Sequence, residues 1–133
     1  MMKRTFLLSL LAFWCITPQL ALSHHAATYM FDVSKSVTIK GVVDVVSFKS
    51  PHVSYRLTVT NKDGKPEAWT GVGHNPAGLA RQGWKRKTIK VGDTISMTGD
   101  SSRDGSNLLF IRAVTLPDGK TLGQKAVGKT NRY

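Results

Sequence analysis

The sequence predicts an all-β domain with one short helix: a small, OB-like, five-stranded Greek-key barrel that follows a cleaved signal peptide. Three observations predict it. Segments rich in Val, Ile and Thr alternate apolar and polar residues with the period of two that a strand imposes. Asp-Gly pairs at 63–64, 104–105 and 118–119 supply tight turns. A single helix-like segment, 75–83, separates the third strand from the fourth, where an OB barrel carries its helix. A two-sheet sandwich without that helix is the alternative.

The 133 residues divide into a signal peptide (1–23), an amino-terminal arm (24–35), the barrel (36–122) and a basic flexible tail (123–133). Lys3 and Arg4 give the leader its positive start. Phe6, Leu7, Leu8, Leu10, Leu11, Phe13 and Trp14 make an apolar stretch, Pro18 breaks it, and Ala21 and Ser23 are small residues at the cleavage positions. The apolar run is shorter than the roughly 20 residues that span a bilayer, so no stable membrane span is expected in the mature chain. A periplasmic or secreted location is expected. The only cysteine, Cys15, lies within the leader behind bulky Phe13 and Trp14, which disfavours lipidation. The mature chain is left without a disulfide, so its stability must come from its core.

The first strand, 37–48, is rich in β-branched residues, and Gly41 in its middle predicts a bend that lets one strand serve two sheets. Pro51 breaks the chain. From 52 to 60 the alternation is clean: Val53, Tyr55, Leu57 and Val59 face inward, and His52, Ser54, Arg56 and Thr58 face outward. The returning strand, 67–73, centres on Trp69 and Val72. Asn75 then offers a helix cap, Pro76 suits the first turn and Gly83 can end it, with Leu79 inward and Trp84 plugging a barrel end. Strands at 94–99 and 108–116 complete the set. Leu108 to Leu116 is apolar on both faces, which predicts cover on both sides. A short extra strand at Thr121 and Leu122 follows the last Asp-Gly turn.

Charge is the strongest bulk feature: 19 Lys+Arg against 8 Asp+Glu give a net charge of +11, of which Lys3 and Arg4 leave with the leader. On an exported protein such a surface suits an anionic envelope component such as lipid, polysaccharide or an acidic protein, rather than nucleic acid. Arg56, Arg81, Lys85, Arg86 and Lys87 are the candidate anion-binding residues.

The four histidines, His24, His25, His52 and His74, all lie in the mature chain and are the candidate metal ligands. Cleavage after Ser23 would make His24 the first residue. Its amino nitrogen and ring nitrogen can then chelate one ion, and a further imidazole would give a three-nitrogen set suited to copper. Met30 and Met97 add possible sulfur donors, with Met97 on the inward face. An enzyme is not expected. No nucleophilic cysteine remains, no Gly-x-Ser-x-Gly elbow and no phosphate loop occurs, and most acids sit in turns. A non-catalytic exported binding module is the expected function, for a metal such as copper or, alternatively, for an anionic envelope component.

The chain resembles a family of small exported bacterial proteins, domain-of-unknown-function family 6152. The resemblance rests on His24-His25, Ser50-Pro51-His52-Val53, the run from Gly78 to Trp84, the Val91-Gly92-Asp93 turn with Thr98-Gly99, Arg103-Asp104-Gly105-Ser106, and Val114 to Gly119. Family members often carry Asn where this chain has Ser50. The resemblance implies an extracytoplasmic small barrel and supplies no activity.

Overall fold

The computed structural model describes residues 29–125. Six strands and one helix follow in order: β1 (Phe31–Ser47), β2 (Ser54–Thr60), β3 (Pro66–Val72), α1 (Pro76–Arg81), β4 (Thr94–Ser102), β5 (Leu108–Thr115) and β6 (Thr121–Gly123). The sheet order is β3-β2-β1-β4-β5-β6, and β3 also pairs with β5. That last pairing is parallel, Thr70 to Leu108 through Val72 to Phe110, and it closes the barrel. Five strands closed as β1-β2-β3-β5-β4, with the helix between β3 and β4, form an OB barrel. β6 extends the sheet beside β5 outside that ring.

β1 works as a two-sided strand because it is long and bent. Its first part pairs with β4, from Phe31 opposite Ser102 to Val42 opposite Thr94. Its second part pairs with β2, from Gly41 opposite Val59 to Ser47 opposite Ser54. Gly41 thus lies where the strand serves both neighbours. The register slips between Val43 and Val45, two residues past that point. β1 also starts at Phe31, inside the stretch expected to be an arm. Residues 31–36 show no alternation because their pairing with β4 is itself irregular, shifting register between Asp32 and Ser36.

The core is the inward face of the strands. Val53, Tyr55, Leu57, Ile95, Met97, Leu109, Ile111 and Val114 are buried, together with Leu79 and Trp84 from the helix end. Met97 is therefore a packing residue. Burial pushes the Tyr55 hydroxyl up to about 12. β5 is covered on both faces as its composition requires: Leu109 and Ile111 point into the barrel, and Phe110 is buried on the other side.

Local chemistry sets the helix. The Asn75 side chain accepts from Gly78 N at 2.7 Å, Pro76 opens the first turn, and Gln82 N bonds back to Leu79 O. Gly83 follows with φ +89°, and Trp84 N closes on Leu79 O at 3.0 Å. The turn glycines Gly64, Gly105 and Gly119 all take positive φ. The chain past β6 is held further than the expected tail start at Gly123. Gln124 is buried and its backbone N donates to Arg112 O at 2.7 Å, while Lys125 N donates to Gln82 Oε1 at 2.8 Å. Residues 126–133 of the expected tail, the expected leader and residues 24–28 of the expected arm lie outside the described residues.

Candidate metal centre at the helix end of the barrel

β2 begins and β3 ends at the helix end of the barrel, and each carries a histidine there. Backbone bonds lock the two segments together: Val53 N donates to His74 O at 3.1 Å, and Gly73 N donates to Val53 O at 2.9 Å. The exposed ring of His52 lies over this ladder, with Nδ1 3.0 Å from Gly73 O. A carbonyl only accepts, so Nδ1 carries the proton. In the neutral ring the lone pair then sits on Nε2. A backbone carbonyl fixing one ring nitrogen in this way is the outer-shell arrangement that orients metal-binding histidines.

His74 is held differently. Its backbone N donates to Gln124 Oε1 at 3.1 Å. Its ring stands edge-on to Phe110, with centroids 5.0 Å apart and planes at 86°. Nε2 is buried without a hydrogen-bond partner, as is Gln124 Nε2. Burial holds the His74 pKa below the usual imidazole value, and the positive charges of Arg112 and His52 depress it further. The ring is thus kept neutral, the form that binds a metal. The amide of Gln124 reaches this place because Gly73 has no side chain: a Cβ there would lie 2.6 Å from Oε1 and 2.8 Å from Nε2.

A lowered histidine pKa has a consequence for stability. The unfolded chain takes up a proton near the ordinary value of 6.5, and the folded chain resists it. Stability contributed by neutral His74 is therefore complete above 6.5 and is lost as pH falls through the lowered folded value. Thermal melts of the metal-free protein from about pH 8 to about pH 5 should show this fall, and His74→Phe should flatten it.

Around His74 lies an aromatic and charged layer that the sequence did not single out. Phe31 packs on Phe110 at 5.6 Å between centroids, so the first residue of β1 lies one ring away from His74. The Arg112 guanidinium stands 5.8 Å from the Phe110 centroid and is bound through Nε and Nη2 to Asp100 Oδ2, the Nε bond being 2.8 Å. Asp100 is buried, and Arg112 meets its charge. Apolar residues on both faces of β5 were the available signal for Phe110. Nothing local marked Gln124.

Among the described residues no group of three or more His, Cys, Asp or Glu side chains could hold a metal ion. His52 and His74 supply two nitrogens, and His24 and His25 lie outside the described residues. Met30, half exposed, is near the start of the described chain, where its carbonyl accepts from Arg103 N at 2.9 Å.

The candidate anion-binding residues occupy different parts of the fold. Arg56 is on the outward face of β2, paired with Val45 and Thr70 in the neighbouring strands. Arg81 is in the last turn of α1, and exposed Lys85, Arg86 and Lys87 lie just after Trp84, where Lys85 N bonds Thr88 Oγ1 at 2.7 Å. No helix among the described residues is long and apolar enough to cross a membrane.

Solved structures with a related outline include the mitochondrial single-stranded DNA-binding protein Rim1 of S. cerevisiae. It is 12% identical, with a TM-score of 0.48, and the match covers 62% of this chain and 92% of that one. A small single-stranded DNA-binding protein from Streptomyces coelicolor is 21% identical with a TM-score of 0.44, covering 60% of this chain and 89% of its own. No curated protein matches the sequence. The sequence does match one family profile over residues 13–109, most of its length, and the chain belongs to that Family of unknown function (DUF6152).

Proposed function

We propose that the protein is an exported, non-catalytic module that binds one transition-metal ion, of which Cu(II) fits best, at the helix end of its barrel. One observation carries the reading. His52 is oriented by Gly73 O, and the next residue, His74, keeps a buried ring nitrogen without a partner. Two imidazoles at one end of a rigid barrel are an incomplete set for copper, and the amino terminus can complete it. His24 precedes Phe31 by seven positions, a stretch that extends to roughly 23–25 Å. From Phe31 to His74 the path is two ring contacts of 5.6 and 5.0 Å. An amino terminus freed at His24 is therefore within reach of His74, bringing an amine nitrogen and an imidazole, with His25 beside it. Nitrogen donors of this kind favour Cu(II) over other divalent first-row ions. Barrel rigidity limits the cost of ordering to the short arm.

Titration with Cu(II) tests this. The protein beginning at His24 should bind one equivalent. One extra residue before His24, or His74→Ala, should weaken binding by more than the roughly 10–100-fold that loss of an outer-shell partner costs. Binding that is unchanged by both alterations would overturn the reading. Electron paramagnetic resonance should show nitrogen hyperfine coupling from the bound imidazoles.

A further inference from the structure

The other end of the barrel is open. Past Gly41 and its partner Val59, β1 continues along β4 while β2 runs into its hairpin with β3. A cleft of about 610 Å³ is left between them, within the range of small-molecule sites. Inward residues Ile39, Val59 and Trp69 form its apolar wall. Trp69 lies opposite Leu57 and is only partly buried, unlike Trp84 at the helix end, which is 1% exposed. A large aromatic surface is thus presented to the cleft.

The rim is polar and electrically balanced. Lys40 and Lys62 on its lining are matched in number by Asp63 and Glu67, although the whole chain carries +11. An anionic ligand would find the chain's excess positive charge elsewhere and two carboxylates here. Rim groups are also held in place. Asn61 Nδ2 donates to Glu67 Oε1 at 2.8 Å, and Asn61 Oδ1 accepts from the amides of Asp63 and Lys65 at 2.9 Å each. The Asn61 backbone closes the same turn, its N donating to Lys65 O at 2.8 Å. This leaves the second Glu67 oxygen, the second amide hydrogen of Asn61, the Thr60 hydroxyl and two ammonium groups around an aromatic wall.

We propose that this cleft binds an uncharged oligosaccharide. A sugar ring has an apolar C–H face that stacks on an indole and an equatorial rim of hydroxyls that both donate and accept. A wall of Trp69 bordered by fixed amide, carboxylate, hydroxyl and ammonium groups matches both features, and zero net charge at the rim selects against phosphate and sulfate. The site is independent of His52 and His74, which lie at the opposite end.

Nuclear magnetic resonance titration of the purified protein with maltotriose, cellotriose and chitotriose tests it. At least one sugar should give saturable shifts at millimolar concentration, centred on the Trp69 indole N–H and the Asn61 side-chain amide, with the buried Trp84 indole as the unmoved control. Trp69→Leu, which keeps apolar bulk, should weaken binding at least about tenfold, and Trp69→Phe less. Glu67→Gln provides a second variant with the fold's hairpin acceptor retained, and it should also weaken binding. No saturable shift with any of the three sugars overturns the proposal. So does a preference for a sulfated oligosaccharide that disappears with added salt, since that would be attraction to the basic surface.

Discussion

Trp84→Ala is expected to destabilise the protein by about 3–5 kcal/mol, the range for removing a large buried aromatic side chain. Trp84 is 1% exposed and belongs to the same core cluster as Leu57, Leu79, Ile89 and Ile111. It closes the helix end from a loop, so no strand ladder fixes its place. Its own contacts do so instead: the backbone N bonds Leu79 O at 3.0 Å, and Nε1 donates to Gly123 O at 3.2 Å. That second bond ties the last residue of β6 to the helix end, beside the Gln82 and Lys125 pair. Alanine would open a cavity and remove the tie together. A domain of this size has roughly 5–15 kcal/mol of total stability, so the loss is about a fifth of it or more. Cysteine is absent after Cys15, so no disulfide offsets it. Trp84→Phe should cost less, because a six-membered aromatic ring still fills part of the site, although the rest of the indole and its N–H are lost. Urea unfolding followed by circular dichroism reads both. A change below about 1 kcal/mol for the alanine variant would show that the end of the barrel can collapse around the gap.

Such a plug was legible in the sequence because its signals are local. Asn75, Pro76 and Gly83 punctuate a short helix by side-chain capping, fixed φ and a positive-φ stop, and all three act there. The clean alternation from Val53 to Leu57 required only that one face be buried. What stayed hidden depends on residues distant in sequence. Residues 31–35 read as part of an arm because the partners of Phe31 and Asp32 are Ser102 and Ser101, some seventy positions on. Gln124 read as tail because its burial depends on the missing side chain of Gly73 and on the backbone N of His74. Each histidine was visible as a metal-binding residue type, but the approach of His52 to Gly73 O follows only from the register of β2 on β3. The five cations, by contrast, were visible as a composition and are divided by the fold between a sheet wall and the helix end. Composition carries charge but not placement, and placement decides which charges can share a ligand.

Gly41→Ala is the second large effect, expected at about 3 kcal/mol or more, at the upper end for overpacking. Gly41 is bonded into both of its neighbours, opposite Val59 of β2 and Ile95 of β4. A Cβ there would clash with the Thr58 carbonyl oxygen and lie 3.0 Å from both Thr58 C and Val59 Cγ2. The first two atoms are backbone in a paired strand, so relief requires β2 to move away from β1 at the point where β1 pairs with both neighbours. Gly99 faces a similar obstacle, the carbonyl of Phe110, and its variant should behave alike. Gly71 separates the two possible causes. Its Cβ would meet mainly the sulfur of Met97, with Ile111 Cγ1 at 3.0 Å, and both are side-chain atoms. A flexible methionine can turn aside where a carbonyl in a ladder cannot. Gly71→Ala should therefore cost less than Gly41→Ala or Gly99→Ala, although all three replace a buried strand glycine and all three gain similar unfolded-state rigidity. Equal losses in the three, measured by denaturant midpoint at constant slope, would mean that crowding of any kind sets the cost. The expected order would mean that the barrel depends on close backbone approach where β1 turns.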